Sequence, residues 1–204
     1  MSRVVPAGWL VVVAACGRVD FDTASIDDVS DNFDDGSIGA MWSTYESLGA
    51  RHTEANGVLA ITLPTNVDDG YAGYISNQSF DIREHDIVIE LVGGPVDEGC
   101  NCYFNIVAPG DVMDLGFVLS SGVVSAGDNP SGPYDALRHR WWRIREHDAT
   151  IEYAASPDGA TWTTLVAEPS PTWIDNARVN IGGGTYIPAT PSRTCVFDNF
   201  NRPP

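Results

Sequence analysis

Residues 141–165 read WWRIREHDATIEYAASPDGATWTTL, and this stretch decides the fold class of the chain. It opens on Trp-Trp-Arg-Ile-Arg, whose aromatic and β-branched side chains suit a pleated strand. A polar Glu-His-Asp follows, then a second β-rich run, Thr-Ile-Glu-Tyr-Ala-Ala, then Ser-Pro-Asp-Gly, then Thr-Trp-Thr-Thr-Leu. The expected structure is two successive hairpins, the first with a charged tip and the second turned by Pro, Asp and Gly.

The same texture extends in both directions from there. Strands are expected at Ala40–Leu48, Val58–Thr62, Gly73–Phe80, Ile87–Val92, Cys102–Val107, Asp114–Leu119, Trp141–Arg145, Thr150–Ala155, Thr161–Ala167, Asn176–Gly182 and Cys195–Phe200. Gly, Pro, Asn and Asp break the runs, and no sustained helical period competes. An all-β chain with two packed sheets or a barrel follows. HRWWRIRE at 139–146, the strand after it, SPDG and TWTTL together resemble the matching segment of concanavalin A-like lectin and glucanase domains. DNFDDGSIGAMW at 31–42 resembles their first strand and its tryptophan, and CVFDNF at 195–200 resembles their last strand. The resemblance implies a two-sheet antiparallel jelly-roll sandwich. It implies no single activity, because that superfamily holds lectins, glycan-binding modules, glycosidases and adhesion domains.

The N-terminus has a different character. Arg3 precedes an apolar run from Val4 to Ala15, the layout of a secretory signal. Val13-Ala14-Ala15-Cys16 resembles the bacterial lipobox, which implies cleavage before Cys16 and lipid on its sulfur. The run is interrupted by Pro6 and Gly8 and is shorter than the ~20 residues of a spanning helix. Gly17 rather than Asp follows the cysteine, which by resemblance to enterobacterial sorting favours the outer membrane where one exists. Several acyl chains anchor stably, so the expected membrane contact is through Cys16 alone. The expected organisation is a signal peptide at 1–15, an acidic tether at 16–30 carrying four aspartates, and one sandwich domain at 31–204.

Acidic residues outnumber basic ones 28 to 11, and every basic residue is Arg. With no basic cluster and a net charge of −17, the footprint of a nucleic-acid binder is missing. Besides Cys16 the chain carries Cys100, Cys102 and Cys195, an odd number for an oxidising compartment. Cys100 and Cys102 on an extended backbone lie too far apart to bridge each other, so one of them, Cys102 first, is expected to bond Cys195. A three-cysteine zinc site is the rival, with the wrong spacing for a knuckle.

Several residue sets could carry function. IREHDIVIE at 82–90 returns as IREHDATIE at 144–152, identical at seven of nine positions. The plain reading is two similar hairpin tips; the sharper one gathers His85, Asp86, His147 and Asp148 around a metal. Glu84, Asp86 and Glu90 resemble the carboxylate set of laminarinases and lichenases, with one residue too many before the last glutamate. Alternation puts Trp141, Arg143 and Arg145 on the face opposite Trp142 and Ile144, a candidate sugar platform unless Trp141 is covered. Trp42 and Trp162 are expected in the core, with Tyr71, Tyr74 and Tyr186 near Gly-rich turns. Asp34, Asp35 and Asp198 could share a structural calcium, though turn aspartates capping local backbone explain them as well; no cofactor is otherwise required. The expected function is non-catalytic, with a glycan as ligand. A glycosidase with an atypical carboxylate set and a structural or protein-binding envelope component are the alternatives.

Overall fold

The structure is a computed structural model and describes residues 25–110, 113–188 and 192–204. The signal peptide, Cys16 and most of the expected tether lie outside the described residues. Fourteen strands among those described form two seven-stranded antiparallel sheets. The first sheet is built from β1 (Trp42–Glu46), β4 (Tyr71–Ser76), β6 (Cys100–Val107), β7 (Asp114–Ser120), β8 (Val123–Ala126), β9 (Asn129–Pro133) and β13 (Arg178–Thr185). Its spatial order is β1-β4-β13-β6-β7-β8-β9. The second contains β2 (Arg51–Ala55), β3 (Val58–Leu63), β5 (Asp86–Gly93), β10 (Trp141–His147), β11 (Thr150–Ser156), β12 (Thr163–Pro169) and β14 (Arg193–Asp198). Its order is β12-β11-β10-β5-β14-β3-β2.

Alternation along the strands builds the core between the sheets. On β10, Trp142, Ile144 and Glu146 face inward, and on β5, Ile87, Ile89 and Leu91 do the same. Trp142 is fully buried and stacks on Phe117 of the opposing sheet at 5.1 Å, with Tyr153 edge-on to Phe117 at 5.9 Å. A second aromatic group joins Trp42 to Tyr74 and Phe200. Cys102 of β6 is bonded to Cys195 of β14, with Cα atoms 5.7 Å apart, so the disulfide joins one sheet to the other. Among the described residues Cys100 is the remaining thiol, and it is buried.

The two copies of IREHD do not fold alike. In the first, Glu84 has φ +60° in a turn that leads into β5. In the second, Arg145–His147 continue β10, and the turn falls at Asp148 and Ala149, both with positive φ. The expectation of two equivalent charged tips is corrected accordingly: pairing of Glu146 with Ile151 in β11 holds the second copy extended. The expected tether also ends early. From Ser25 on the chain is packed against the domain, with Ile26 fully buried and the Asn201 side chain donating to the carbonyls of Ile26 and Val29.

Candidate functional site

The outer face of the first sheet carries a shallow hollow of about 270 Å³. Its floor is set by alternation on β6, where Cys102 and Phe104 point into the core and Asn101, Tyr103 and Asn105 point out. Asn180 of β13, Tyr71 of β4, and Asp114 and Val118 of β7 complete the lining.

Glycines make room for this floor. Residues 182–184 are three glycines in the middle of β13. A Cβ on Gly182 would stand 2.4 Å from the Tyr45 hydroxyl, and one on Gly184 would stand 2.0 Å from the Tyr71 ring. Gly73 sits beside Gly182 and likewise lies under the Tyr45 hydroxyl. Both tyrosines therefore lie against bare backbone, which only glycine permits. Gly183 points the other way, where a Cβ would meet the sulfur of Cys195 at 2.6 Å. On β7, Gly116 leaves space for the side chain of Asn105.

The polar atoms of the floor are only partly satisfied. Tyr45 donates to Asn180 Oδ1 at 2.9 Å, so its oxygen receives the proton of Tyr103 at 2.7 Å. Burial pushes the Tyr45 phenol up to about 12 and shifts the Tyr103 phenol upward as well, so both are donors at neutral pH. Asn105 donates through Nδ2 to Asp114 at 2.6 Å, which fixes its amide with Oδ1 as a free acceptor. That Oδ1 is buried with no hydrogen-bond partner, on a residue only 4% exposed, and Asn101 Oδ1 is also buried and unpartnered. A buried acceptor left unpaired costs about 1–3 kcal/mol, which a ligand donor recovers.

The residues expected to bind ligand lie on the opposite side of the molecule. Trp141 does face outward on β10 but is 3% exposed. The turn after β11 covers it: a Cβ on Gly159 would stand 3.2 Å from its ring and 2.4 Å from Pro204. Its ring is spent on packing. Arg143 lies 4.7 Å over Trp162, which is half-buried on this outer face rather than in the core, and Arg143 and Arg145 both pair with Asp86, at 3.6 and 3.2 Å. Trp42 is in the core, as expected, and donates to Asp31. Tyr74 is fully buried and donates to Glu54, while the hydroxyl of half-exposed Tyr186 engages Ser120 and Ser121.

The expected carboxylate and metal sets do not assemble. Glu84 lies in the turn and accepts from the N–H of Asp148. Glu90 is buried, bound by Arg140 at 2.6 Å and by Asn199 at 2.8 Å. His85 pairs with Asp27, and His147 with Glu152. Asp35 accepts from Ser37, and Asp34 from Asn32. Burial raises the Asp198 carboxyl above its usual range, with Glu90 and Asp34 adding repulsion. Among the described residues no group of three or more His, Cys, Asp or Glu is arranged to hold a metal ion.

The hollow was missed in the sequence because its side chains come from β1, β4, β13, β6 and β7, neighbours only through the sheet order. The polar alternation Asn101-x-Tyr103-x-Asn105 in an otherwise apolar strand and the glycine triplet were the available signals.

No protein-family model matches the chain, and no curated protein matches its sequence. Solved structures do match its shape. A prokaryotic β-1,3-1,4-glucanase (lichenase) from a mouse hindgut metagenome aligns with a TM-score of 0.59 at 12% identity, over 85% of this chain and 98% of that one. The apo Crh5 transglycosylase gives a TM-score of 0.61 at 9% identity, over 84% and 82%. A protein of Mycobacterium tuberculosis described as an immunostimulatory antigen and pseudo β-1,3-glucanase gives 0.55 at 11% identity, over 84% and 97%. At these identities the likeness is one of fold: the chain has a concanavalin A-like, two-sheet antiparallel jelly-roll fold.

Proposed function

We propose that this protein is a non-catalytic glycan-binding module, held at a bacterial envelope by lipid on Cys16, with the Tyr–Asn hollow of the first sheet as its binding surface. The observation that carries the reading is the pair of unpartnered acceptors, Asn101 Oδ1 and Asn105 Oδ1, beside partly exposed Tyr71. Sugars offer hydroxyl donors to such acceptors and C–H faces to such rings. The fold neighbours support a carbohydrate ligand, since one is a lichenase, one a transglycosylase and one is described as a pseudo-glucanase. The lipobox and Gly17 support an extracytoplasmic, outer-membrane location.

Hydrolysis is the weaker reading. A retaining glycosidase needs two carboxyl groups about 5 Å apart beside the substrate. Glu84 and Glu90 are committed to backbone, Arg140 and Asn199, and among the described residues Asp114 is the one carboxylate lining the hollow. The test is a glycan array probed with the full chain purified in detergent. Binding that weakens by about tenfold or more in Asn101→Ala and in Tyr71→Ala supports the assignment. A blank array, or binding indifferent to both changes, overturns it. Labelling of cells with an alkyne fatty acid checks the anchor: wild type carries the label and Cys16→Ser does not.

A further inference from the structure

We propose that the hollow selects an oligosaccharide bearing a free amine, with the protonated amine seated between Asn105 and Asp114. This rests on the glycan reading above and narrows it to one ligand class. Each buried, unpartnered polar atom in the lining is an oxygen acceptor. Asn105 Nδ2 gives one proton to Asp114, which turns the amide so that its unpartnered Oδ1 and the Asp114 carboxylate are the two acceptors the pair offers a ligand. A sugar hydroxyl has one proton and serves one of these oxygens. An ammonium has three and serves both, with charge assistance from Asp114.

The surrounding charge agrees. Among the described residues no cationic side chain lines the hollow, and the chain as a whole carries −17. Arg178 is on the same face, opposite Val107 and one outward position along β13 from Asn180, outside the lining. N-acetylation would replace the three donors with a single amide N–H and remove the positive charge. The second unpartnered acceptor, Asn101, is four residues along the same strand, about 13 Å away at ordinary strand rise. That span fits a short oligosaccharide and exceeds one sugar, so Asn101 serves a hydroxyl on a neighbouring unit.

Isothermal titration of the full chain in detergent with four probes tests this: fully de-N-acetylated chitotetraose, N-acetylchitotetraose, cellotetraose and spermidine, at pH 6. The amino oligosaccharide is expected to bind at least about tenfold more tightly than the other three, the worth of one charge-assisted hydrogen bond. Asp114→Asn should abolish that preference, whereas Asp28→Asn, at an exposed carboxylate in the N-terminal segment, should leave it intact. Equal affinities for the aminated and neutral sugars overturn the amine assignment and leave the glycan reading standing. Spermidine binding as tightly as the amino sugar overturns it too, as does an equal loss in both variants, which is plain attraction to an acidic protein. No binding by any of the sugars removes both readings.

Discussion

Glu146 Oε2 accepts the N–H of Glu84 at 2.9 Å; these are the third residues of the two IREHD copies, and the exchange is returned one turn on, where Glu84 Oε1 accepts the N–H of Asp148 at 3.1 Å. The copies, 62 residues apart in sequence, are thus tied together where β5 and β10 pair, with Arg145 opposite Asp86. The duplicated string makes a clamp between two strand ends, and its carboxylates are used up in doing so.

The two halves of the clamp are unequal. Glu146 is 3% exposed and also accepts from Ser170 Oγ at 2.7 Å, whereas Glu84 is exposed. Glu146→Ala removes the acceptor of two part-buried donors and should cost about 2 kcal/mol; Glu84→Ala should cost about 1 kcal/mol or less. Urea unfolding of the single and double variants checks this, with a coupling of at least about 0.5 kcal/mol expected from the cycle.

Cys102 and Cys195 close a separation of 93 residues and join the two sheets. In the chain-entropy view a loop of that size is worth about 4–5 kcal/mol. Cys102→Ser with Cys195→Ser should therefore lower the denaturant midpoint strongly. Cys100 is buried, and burial raises its thiol above the ordinary value. It should resist maleimide in the native protein and react once the chain is unfolded, which mass spectrometry reads directly.

Glu54 supplies a pH dependence. Burial, with a hydrogen bond to Asp35, lifts its carboxyl to about 7. In the unfolded chain it would titrate near the ordinary glutamate value, so folding favours the protonated form. The resulting stability is complete below about pH 4.3 and is lost as pH rises through about 7. The melting temperature should fall between about pH 4.3 and 7 and level off above that. Glu54→Gln should flatten the fall while keeping an acceptor for the Tyr74 hydroxyl, which now donates to Glu54 at 3.1 Å. A slope unchanged in the variant would assign the effect elsewhere.

The hairpins were legible in the sequence because their signals are local. β10 and β11 match the expected strands closely, since alternation and turn residues are written within one stretch. Strands β2, β8 and β9 were not expected. RHTEA is polar on every residue but its last, and NPSGP carries two prolines and a glycine, so neither shows the alternation of a half-buried strand. All three lie at or next to a sheet edge, where such residues are tolerated. β13 was expected to stop at Gly182, yet it runs to Thr185, because the glycines are there for close approach and not for a turn. The site was illegible for a related reason. Trp141 has the side chain and the parity of a platform, but what decides its role is the Gly159 turn packing on it, a contact no strand pattern contains. Asn105 and Asp114 signal nothing until β6 and β7 lie side by side.

Trp141 and Tyr71 then separate packing from binding. Trp141 is 3% exposed under the Gly159 turn, and Trp141→Ala should cost about 3–5 kcal/mol in stability. Because its ring is covered and on the far sheet, glycan affinity of the folded fraction should be unchanged. Tyr71 lies partly exposed on Gly184, at the edge of the hollow, and its loss removes little core. Tyr71→Ala should cost under about 1 kcal/mol in urea unfolding, in the range of changes outside the core, and reduce glycan affinity by about tenfold through the lost stacking face. Gly184→Ala should mimic it, because the new methyl group stands where the ring now lies and must displace it. If Trp141→Ala weakened binding at unchanged fold while Tyr71→Ala and Gly184→Ala did not, the binding face would be the second sheet and the hollow a feature of packing alone.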